Sequence, residues 1–354
     1  MHFFEVKGNI NIEIKSRKER VMASLAGSNE SSIDELKHRA KIKFKRAGIG
    51  TGAVSGLTYG LFSTFVVVAT TQEPLVGAVG LFAAPYIAST INDLIAAVWL
   101  LIYNGMTGRI KEIGRSIRTF PGFIVMLGAL VGGPIANGAY LMGLAMAGAY
   151  AIPISALFAL FGAIFARIIL KQKITKRVAV GMCICIIGAI IINWVTPESG
   201  SNFTLGIIFA FIAAIGWGLE GVLAAFGSAT IDSDIAVNIR EAVSGVISGI
   251  IVIVFIGASD LLRETLMSGT PVFWLAIAGL CAATSFLTWY KANATVGCAV
   301  GMSLNMTYVF WGVVLSIMFL GTAITPTIII GSIVVFIGAV LVSMNPMDLF
   351  KKAA

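Results

Sequence analysis

The sequence is poor in histidine, in cysteine and in charged residues. The two histidines, His2 and His38, both lie in the polar first 47 of the 354 residues. Histidine is the side chain that acts most often as a catalytic base or a metal ligand, so its scarcity argues against an enzyme. The four cysteines lie in apolar stretches and lack the spacing of a metal site or a disulfide framework. We therefore expect no enzymatic activity and no cofactor.

Charged residues make up 12% of the chain, whereas hydrophobic residues make up 58%. That balance is typical of a protein that crosses the membrane several times, and it excludes an ordinary soluble domain. The 39 glycines fit helices that pack closely within lipid. No nucleotide-binding loop occurs, so ATP is not expected to drive the protein directly.

The formal net charge of +8 is unevenly distributed. Basic residues concentrate in residues 1–47, in the loops 109–118 and 171–177, and at Lys351 and Lys352. Positive charge marks the cytoplasmic side of a membrane protein, so both termini are predicted to be cytoplasmic. The same rule explains the basic tail without nucleic acid, which we do not expect as a partner. Lys351 and Lys352 also have the form of a dilysine retrieval signal.

Hydrophobic runs long enough to cross a bilayer predict ten membrane-spanning helices. Their expected ranges are 48–70, 85–103, 123–144, 149–170, 178–195, 203–226, 233–257, 272–290, 296–320 and 326–344. The polar stretch 196–202 is expected outside. In residues 1–47, Ser32 and Glu35 have capping-box spacing and predict a short helix. This tail either lies as an amphipathic segment at the inner leaflet or only sets the orientation.

The second half of the sequence repeats the first. Residues 87–93 align with 235–241 at an offset of 148, and Tyr59-Gly60-Leu61 aligns with Trp217-Gly218-Leu219 at an offset of 158. The glycines at 162, 181 and 188 match those at 312, 331 and 338, each 150 residues later. Each copy has five spans, an odd number, so the second copy must be inverted in the membrane. Inverted repeats are typical of secondary transporters, whose substrate site lies between the halves.

These motifs resemble the EamA repeats of the drug/metabolite transporter superfamily over residues 48–345. The resemblance rests on the aromatic-glycine elements, on Arg240 near the start of span seven, and on Leu-Gly-Thr-Ala-Ile-Thr at 320–325. It implies transport of amino acids, other metabolites, sugars, nucleotide sugars or drugs, often by exchange or with protons. The chain departs from the family at Gln172 and Thr322, where an acidic residue is usual, and at Asn92, where a basic one is common.

Three acids, Asp93, Glu220 and Glu241, and one clear base, Arg240, lie away from the ends of the predicted spans. Glu220 is the only ionisable residue of span six, and an intramembrane carboxylate marks a functional site by default. We expect it to bind substrate or carry a proton; the alternative is a structural hydrogen bond between helices. Asp93, Arg240 and Glu241 are candidates for a gate or for ion coupling, or for a purely structural ion pair.

Aromatic and amide side chains form a second group of candidates. The resemblance places spans one, three, six and nine around the central cavity. The residues on these spans that we expect to bind substrate are Trp217, Tyr59, Asn137, Tyr140, Asn305 and Tyr308. The alternative is that they join neighbouring helices or form an interfacial aromatic belt.

The sequence therefore predicts an all-α membrane protein in the cell (inner) membrane. The expected parts are a basic tail (1–47), two inverted five-helix repeats (48–196 and 197–345) and a short tail (346–354). The expected function is alternating-access export or exchange of a small polar or zwitterionic metabolite such as an amino acid. Hydrophobic cations and drugs, sugars and nucleotide sugars are alternative substrates, with proton coupling left open. A channel or a non-transporting scaffold is the alternative from another class.

Overall fold

A computed structural model describes residues 36–37, 40, 42–79, 82–147, 151–192, 203–321 and 325–343. The described residues from Gly48 onward form one compact unit. Several predicted features lie outside the described residues: the capping box at Ser32 and Glu35, the outer loop 196–202, residues 322–324 of the 320–325 motif, and Lys351 and Lys352.

The described residues form helices and no strands. In chain order the helices are α1 (Ile42–Thr70), α2 (Ala83–Met106), α3 (Ile110–Ile117), α4 (Phe120–Leu130), α5 (Gly138–Ala147), α6 (Ala151–Ser155), α7 (Phe158–Ile169), α8 (Lys176–Ile192), α9 (Phe203–Gly227), α10 (Ser233–Ile250), α11 (Ser259–Met267), α12 (Gly269–Val296), α13 (Cys298–Asn305), α14 (Tyr308–Leu320) and α15 (Pro326–Ser343). Two π-helical segments, Val131–Asn137 and Ile251–Ile256, continue α4 and α10.

The all-helical membrane architecture expected from composition is confirmed. Among the described residues, seven helical segments are long and apolar enough to cross a membrane: Ile42–Thr70, Ala83–Met106, Phe120–Gly143, Phe203–Gly227, Ser233–Ile256, Gly269–Val296 and Cys298–Phe319. Predicted spans four, five and ten correspond to α6 with α7, α8, and α15, which are shorter. The count of ten and the inverted repeat remain predictions.

Two helices lie where the sequence predicted only loops. Helix α3 occupies most of the basic loop 109–118, and α11 follows span seven. Both are short and amphipathic. Long apolar runs reveal spans, whereas an eight- or nine-residue amphipathic helix between spans has no comparable signal.

The first π-helical segment follows from its sequence, Val-Gly-Gly-Pro-Ile-Ala-Asn. Pro134 has no amide hydrogen and its ring displaces the preceding turn, so the α-helical hydrogen-bond pattern is interrupted. The Tyr86 hydroxyl of α2 donates to the carbonyl oxygen of Pro134 at 3.2 Å. Span three is thus interrupted by a π-helical segment that is tied to α2.

The helices pack around α9 and around the pair formed by α2 and α10. Helix α9 contacts α4, α5, α6 and α7, while α12 contacts α2 and α10. Helices α8 and α15 form a separate, extensive pair. Large apolar side chains such as Ile168, Phe255 and Phe336 are exposed on the outside. A hydrophobic outer surface is the one that lipid tails accept, as expected of an integral membrane protein.

Candidate functional site

A cavity lies between the long helices. The space between its lining atoms is about 400 Å³ including open solvent, and about 30 Å³ of it admits the centre of a water molecule. The residues that line it are Tyr59, Phe158, Trp217, Glu220, Ser285, Phe286, Trp289, Asn305 and Tyr308. They come from α1, α7, α9, α12, α13 and α14. The lining is mainly aromatic, with one carboxyl group.

Five of the seven predicted substrate-binding residues line this cavity: Tyr59, Trp217, Glu220, Asn305 and Tyr308. The other two, Tyr140 and Asn137, are outside the lining. The Tyr140 ring lies 5.3 Å from that of Trp217, and Asn137 donates from Nδ2 to Oγ of Ser89 at 3.3 Å. Asn137 and Tyr140 therefore contact α2 and α9, respectively.

Four lining residues were not predicted: Phe158, Ser285, Phe286 and Trp289. In the sequence they are aromatic or small residues within apolar runs, which lipid-facing helices also contain. Phe158 had one available signal, because it lies 150 residues before Tyr308 and so shares the offset of the repeat. Span eight was not assigned to the cavity at all.

The aromatic rings of the cavity are held by one another and by backbone groups. The ring centroid of Tyr59 lies 4.6 Å from that of Tyr308 and 6.2 Å from that of Phe286. Trp217 donates its indole N–H to the carbonyl oxygen of Gly132 at 2.9 Å. This bond links α9 to the π-helical segment of span three, so contacts within the protein hold this part of the wall.

Glu220 belongs to a buried ion-pair network. The Arg240 Nε atom donates to Oε1 of Glu220 at 2.9 Å, and Nη1 donates to Oε2 of Glu241 at 3.1 Å. All three side chains are buried. The Arg240 guanidinium carbon lies 3.8 Å from the ring centroid of Phe286, so the base contacts the back of a lining residue. The pairing predicted for Arg240 and Glu241 is present and extends to Glu220.

Asp93 is the third buried acid of this region. Its carboxylate accepts hydrogen bonds from Oγ of Ser244 at 2.7 Å and from Nδ2 of Asn92 at 3.1 Å. A side chain at Gly132 would collide with the carboxylate of Glu220, and one at Gly133 with the hydroxyl of Ser244. The two glycines of the π-helical segment therefore let span three approach both acids.

The network contains three carboxyl groups and a single guanidinium. If all four groups are ionised, it carries two negative charges in a place where unpaired charge is costly. Three buried oxygens near these charges also lack a hydrogen-bond partner among the described residues: Oε1 of Glu241, Oδ1 of Asn92 and the hydroxyl of Tyr290. The site therefore has capacity for a positive charge or for protons.

Metal binding is not indicated by the part of the chain that the structure describes. No three side chains among its histidines, cysteines, aspartates and glutamates come together as potential metal ligands.

Known proteins resemble this chain in sequence and in fold. Residues 204–344 match the EamA-like transporter family. Protein LicB of Haemophilus influenzae is 27% identical over 218 residues, which are 61% of this chain and 73% of LicB. One solved crystal structure has a TM-score of 0.61 at 16% identity, covering 82% of this chain and 96% of its own. At that identity the likeness concerns the fold alone.

Proposed function

From the premise that this integral membrane protein carries an EamA-like transporter family domain over residues 204–344, we propose that it transports a small organic cation by alternating access. The proposal selects one of the substrate classes that the sequence left open. The cavity supports it better than it supports the zwitterionic metabolite that the sequence favoured.

The observation that carries this proposal is the composition of the cavity wall. Six aromatic rings surround a space that holds one carboxylate: Tyr59, Phe158, Trp217, Phe286, Trp289 and Tyr308. An ammonium group over an aromatic face is attracted by the ring quadrupole, by about 2 kcal/mol or more when desolvated. Glu220 adds a negative charge to this aromatic cavity wall. A cation that carries apolar substituents would satisfy both features.

A zwitterion or an anion would need a basic group that is available to its carboxylate or phosphate. Among the lining residues there is none, and the buried Arg240 lies behind Phe286. The guanidinium is also engaged with two carboxylates, Glu220 and Glu241. Freeing it would leave those acids unpaired in a buried site, which is costly.

The negative excess of the network suggests how binding is coupled to the rest of the protein. A bound cation would offset part of the charge of Glu220, Glu241 and Asp93. In its absence, protons on these carboxyl groups would do the same. We therefore assign Glu220 to substrate contact, and Asp93, Arg240 and Glu241 to the gate or to ion coupling, with protons as the candidate coupling ion.

The proposed architecture is ten spans in two inverted halves, and the helix contacts support it. Gly181 packs against Gly338, and Gly188 packs against Gly331. With the sequence offset of 150, Gly181 corresponds to Gly331 and Gly188 to Gly338, so each contact maps onto the other when the halves are exchanged. A two-fold axis between α8 and α15 would produce this pattern.

Breaks in two spans support the same arrangement. Predicted span four is interrupted between Ser155 and Phe158, and span nine between Asn305 and Tyr308, again 150 residues apart. Phe158 and Tyr308, which follow the breaks, both line the cavity. Discontinuous helices at corresponding positions of two inverted halves are typical of transporter substrate sites. Rocking of one half against the other would then expose the cavity to each side in turn.

A ligand-binding experiment tests the substrate class. Purified protein is titrated with tetramethylammonium and with neopentyl alcohol, which is similar in shape but uncharged, while the melting temperature is recorded. Saturation at 100 times the dissociation constant should stabilise the protein by about 2.7 kcal/mol. We expect stabilisation by the cation alone. Glu220→Gln should weaken cation binding about tenfold or more, whereas the exposed Glu264→Gln on α11 should leave it unchanged.

Flux in proteoliposomes separates the remaining possibilities. Saturable, gradient-driven uptake of a radiolabelled organic cation is expected, with competition by tetramethylammonium. Stabilisation and flux by amino acids in place of cations would overturn the substrate class while keeping the transporter. Absence of flux for cations, amino acids, sugars and nucleotide sugars would favour a non-transporting scaffold.

A further inference from the structure

Helix α3, between predicted spans two and three, has two different faces. Ile110, Ile113 and Ile117 share one face at helical spacing, and Lys111, Arg115 and Arg118 share another. Ile113 packs against the core, whereas Ile110 and Ile117 are 51% and 41% exposed. Ile113 thus provides the contact with the protein core, and the helix presents Ile110 and Ile117 outward.

The apolar face of α3 continues the outer hydrophobic surface of the neighbouring helices. Met106 at the end of α2, and Phe120 and Phe123 at the start of α4, are all exposed. These residues mark the ends of two membrane spans, so the helix between them lies at the level where the hydrocarbon core gives way to headgroups. An amphipathic helix with basic residues in that position lies in the interface.

The basic face of α3 is not neutralised by the residues that the structure describes. None of the described carboxylates pairs with Lys111, Arg115 or Arg118. The neighbouring acids are instead held by Arg109, which pairs with Glu112, Asp232 and Asp234; its pKa lies above the usual range because of the hydrogen bond to Glu112 and the nearby aspartates. Three adjacent positive charges are thus left for an external anion.

Both ends of α3 are fixed to the membrane-spanning helices. Arg109, just before α3, bonds to Asp234 of α10 at 2.8 Å. After α3, a side chain at Gly122 would collide with the carbonyl oxygen of Ser116, so the end of α3 packs directly on α4. Its basic face is consequently presented in one orientation, which a mobile loop with the same charges would not achieve.

From these observations we infer that α3 is a docking surface for anionic phospholipid of the inner leaflet. The isoleucines enter the acyl region, and Lys111, Arg115 and Arg118 bind the phosphate-bearing headgroups. The inference is independent of the proposed substrate. Helix α11, on the predicted outer side, offers a contrast, since Asp260 and Glu264 outweigh Arg263 there.

Lipid titration of the full-length protein tests the inference. The protein in neutral detergent is titrated with phosphatidylglycerol or phosphatidylcholine, and native mass spectrometry gives the dissociation constant of the first lipid bound. Each basic residue near an anionic surface contributes about fivefold in affinity. We expect the anionic lipid to bind at least about tenfold more tightly. The Lys111→Gln, Arg115→Gln, Arg118→Gln triple variant should reduce this preference to below about threefold.

Two further variants separate the α3 surface from general attraction to positive charge. Lys171→Gln, Lys173→Gln and Lys176→Gln together remove three exposed charges from another loop predicted on the same side, and this variant should retain the preference. Ile110→Ser with Ile117→Ser should weaken both lipids several-fold and keep their ratio. Equal binding of the two lipids by the unaltered protein, or equal loss in both triple variants, would overturn the inference. Unchanged melting temperatures in phosphatidylcholine confirm that the variants are folded.

Discussion

Two helix pairs in this protein are built in opposite ways. Helices α8 and α15 meet through glycines: a methyl group on Gly188 would lie 2.6 Å from the amide nitrogen of Val335, and one on Gly338 would lie 2.7 Å from that of Cys185. Helices α2 and α10 also approach closely at Gly245, but they place polar side chains between them as well. Nδ2 of Asn238 donates to the Ala97 carbonyl oxygen at 2.6 Å, for example.

The two kinds of contact suit different roles: the glycine contacts of α8 and α15 suit support, and the polar contacts of α2 and α10 suit function. Backbones in close contact gain dispersion energy along their whole length and contain nothing that a substrate could change. Polar and charged side chains between helices have partners that a proton or a ligand can replace. Helix α9 lines the cavity, and Arg240 of α10 bonds to its lining residue Glu220, whereas α8 and α15 do not line the cavity. We therefore expect substitutions in the two regions to differ in kind.

Removal of Arg240, the base of the buried network, should have the largest effect. Arg240→Met leaves Glu220 and Glu241 without their cationic partner. Breaking a buried ion pair from one side costs about 3–5 kcal/mol, because the remaining charge stays desolvated. We expect a loss of that size in the free energy of unfolding, measured by SDS titration of the purified protein.

The same region allows a rescue that the glycine pair does not. Adding Glu220→Gln and Glu241→Gln to Arg240→Met removes the two charges that Arg240 paired with, so the cost of leaving them unpaired and buried is removed as well. Most of the lost stability should return, while binding of organic cations should not. A triple variant that is as unstable as Arg240→Met would show that the arginine acts through packing on Phe286 and not through charge.

Sequence alone predicted the membrane class, because it depends on apolar length, and it found Asp93, Glu220 and Glu241 because an acid within an apolar span stands out. It could not find the partner of Glu220. Arg240 and Glu241 are neighbours, but Glu220 is 20 residues away on another helix, and the bond depends on how α9 packs on α10. Phe158 and Phe286 were missed for a related reason. An aromatic residue in an apolar run looks the same whether it faces lipid or a cavity.

The glycine pair should respond with an intermediate loss of stability. Gly188→Val places a side chain within 2.8 Å of the carbonyl oxygen of Gly331 and closer to the amide of Val335. Since neither group belongs to a flexible side chain, α8 and α15 must move apart. Overpacking of this kind costs about 1–3 kcal/mol. The melting temperature should fall, whereas the dissociation constant for tetramethylammonium should stay within about twofold.

The matched control is Gly50→Val on α1, where an added side chain meets nothing within 4 Å. It adds the same β-branched residue to a helix without the contact, so its stability should change by less than about 1 kcal/mol. If Gly188→Val weakened cation binding as strongly as Glu220→Gln, the division between a supporting pair and a functional centre would be wrong.

The smallest of these effects concerns a hydrogen bond that links the two halves of the central region. Trp217→Phe keeps an aromatic ring in the cavity wall but removes the indole N–H that donates to the Gly132 carbonyl oxygen. One such bond contributes about 0.5–1.5 kcal/mol. Trp99→Phe is the control, because the Trp99 indole N–H donates to the Ala276 carbonyl oxygen at 3.4 Å on an exposed face, and we expect almost no loss of stability there.

The Trp217→Phe substitution should also affect binding. Gly132 packs against the carboxylate of Glu220, so releasing the Gly132 carbonyl should loosen the π-helical segment beside the acid. Cation affinity should therefore decrease more for Trp217→Phe than for Trp99→Phe, and equal affinities would place the segment outside the binding mechanism.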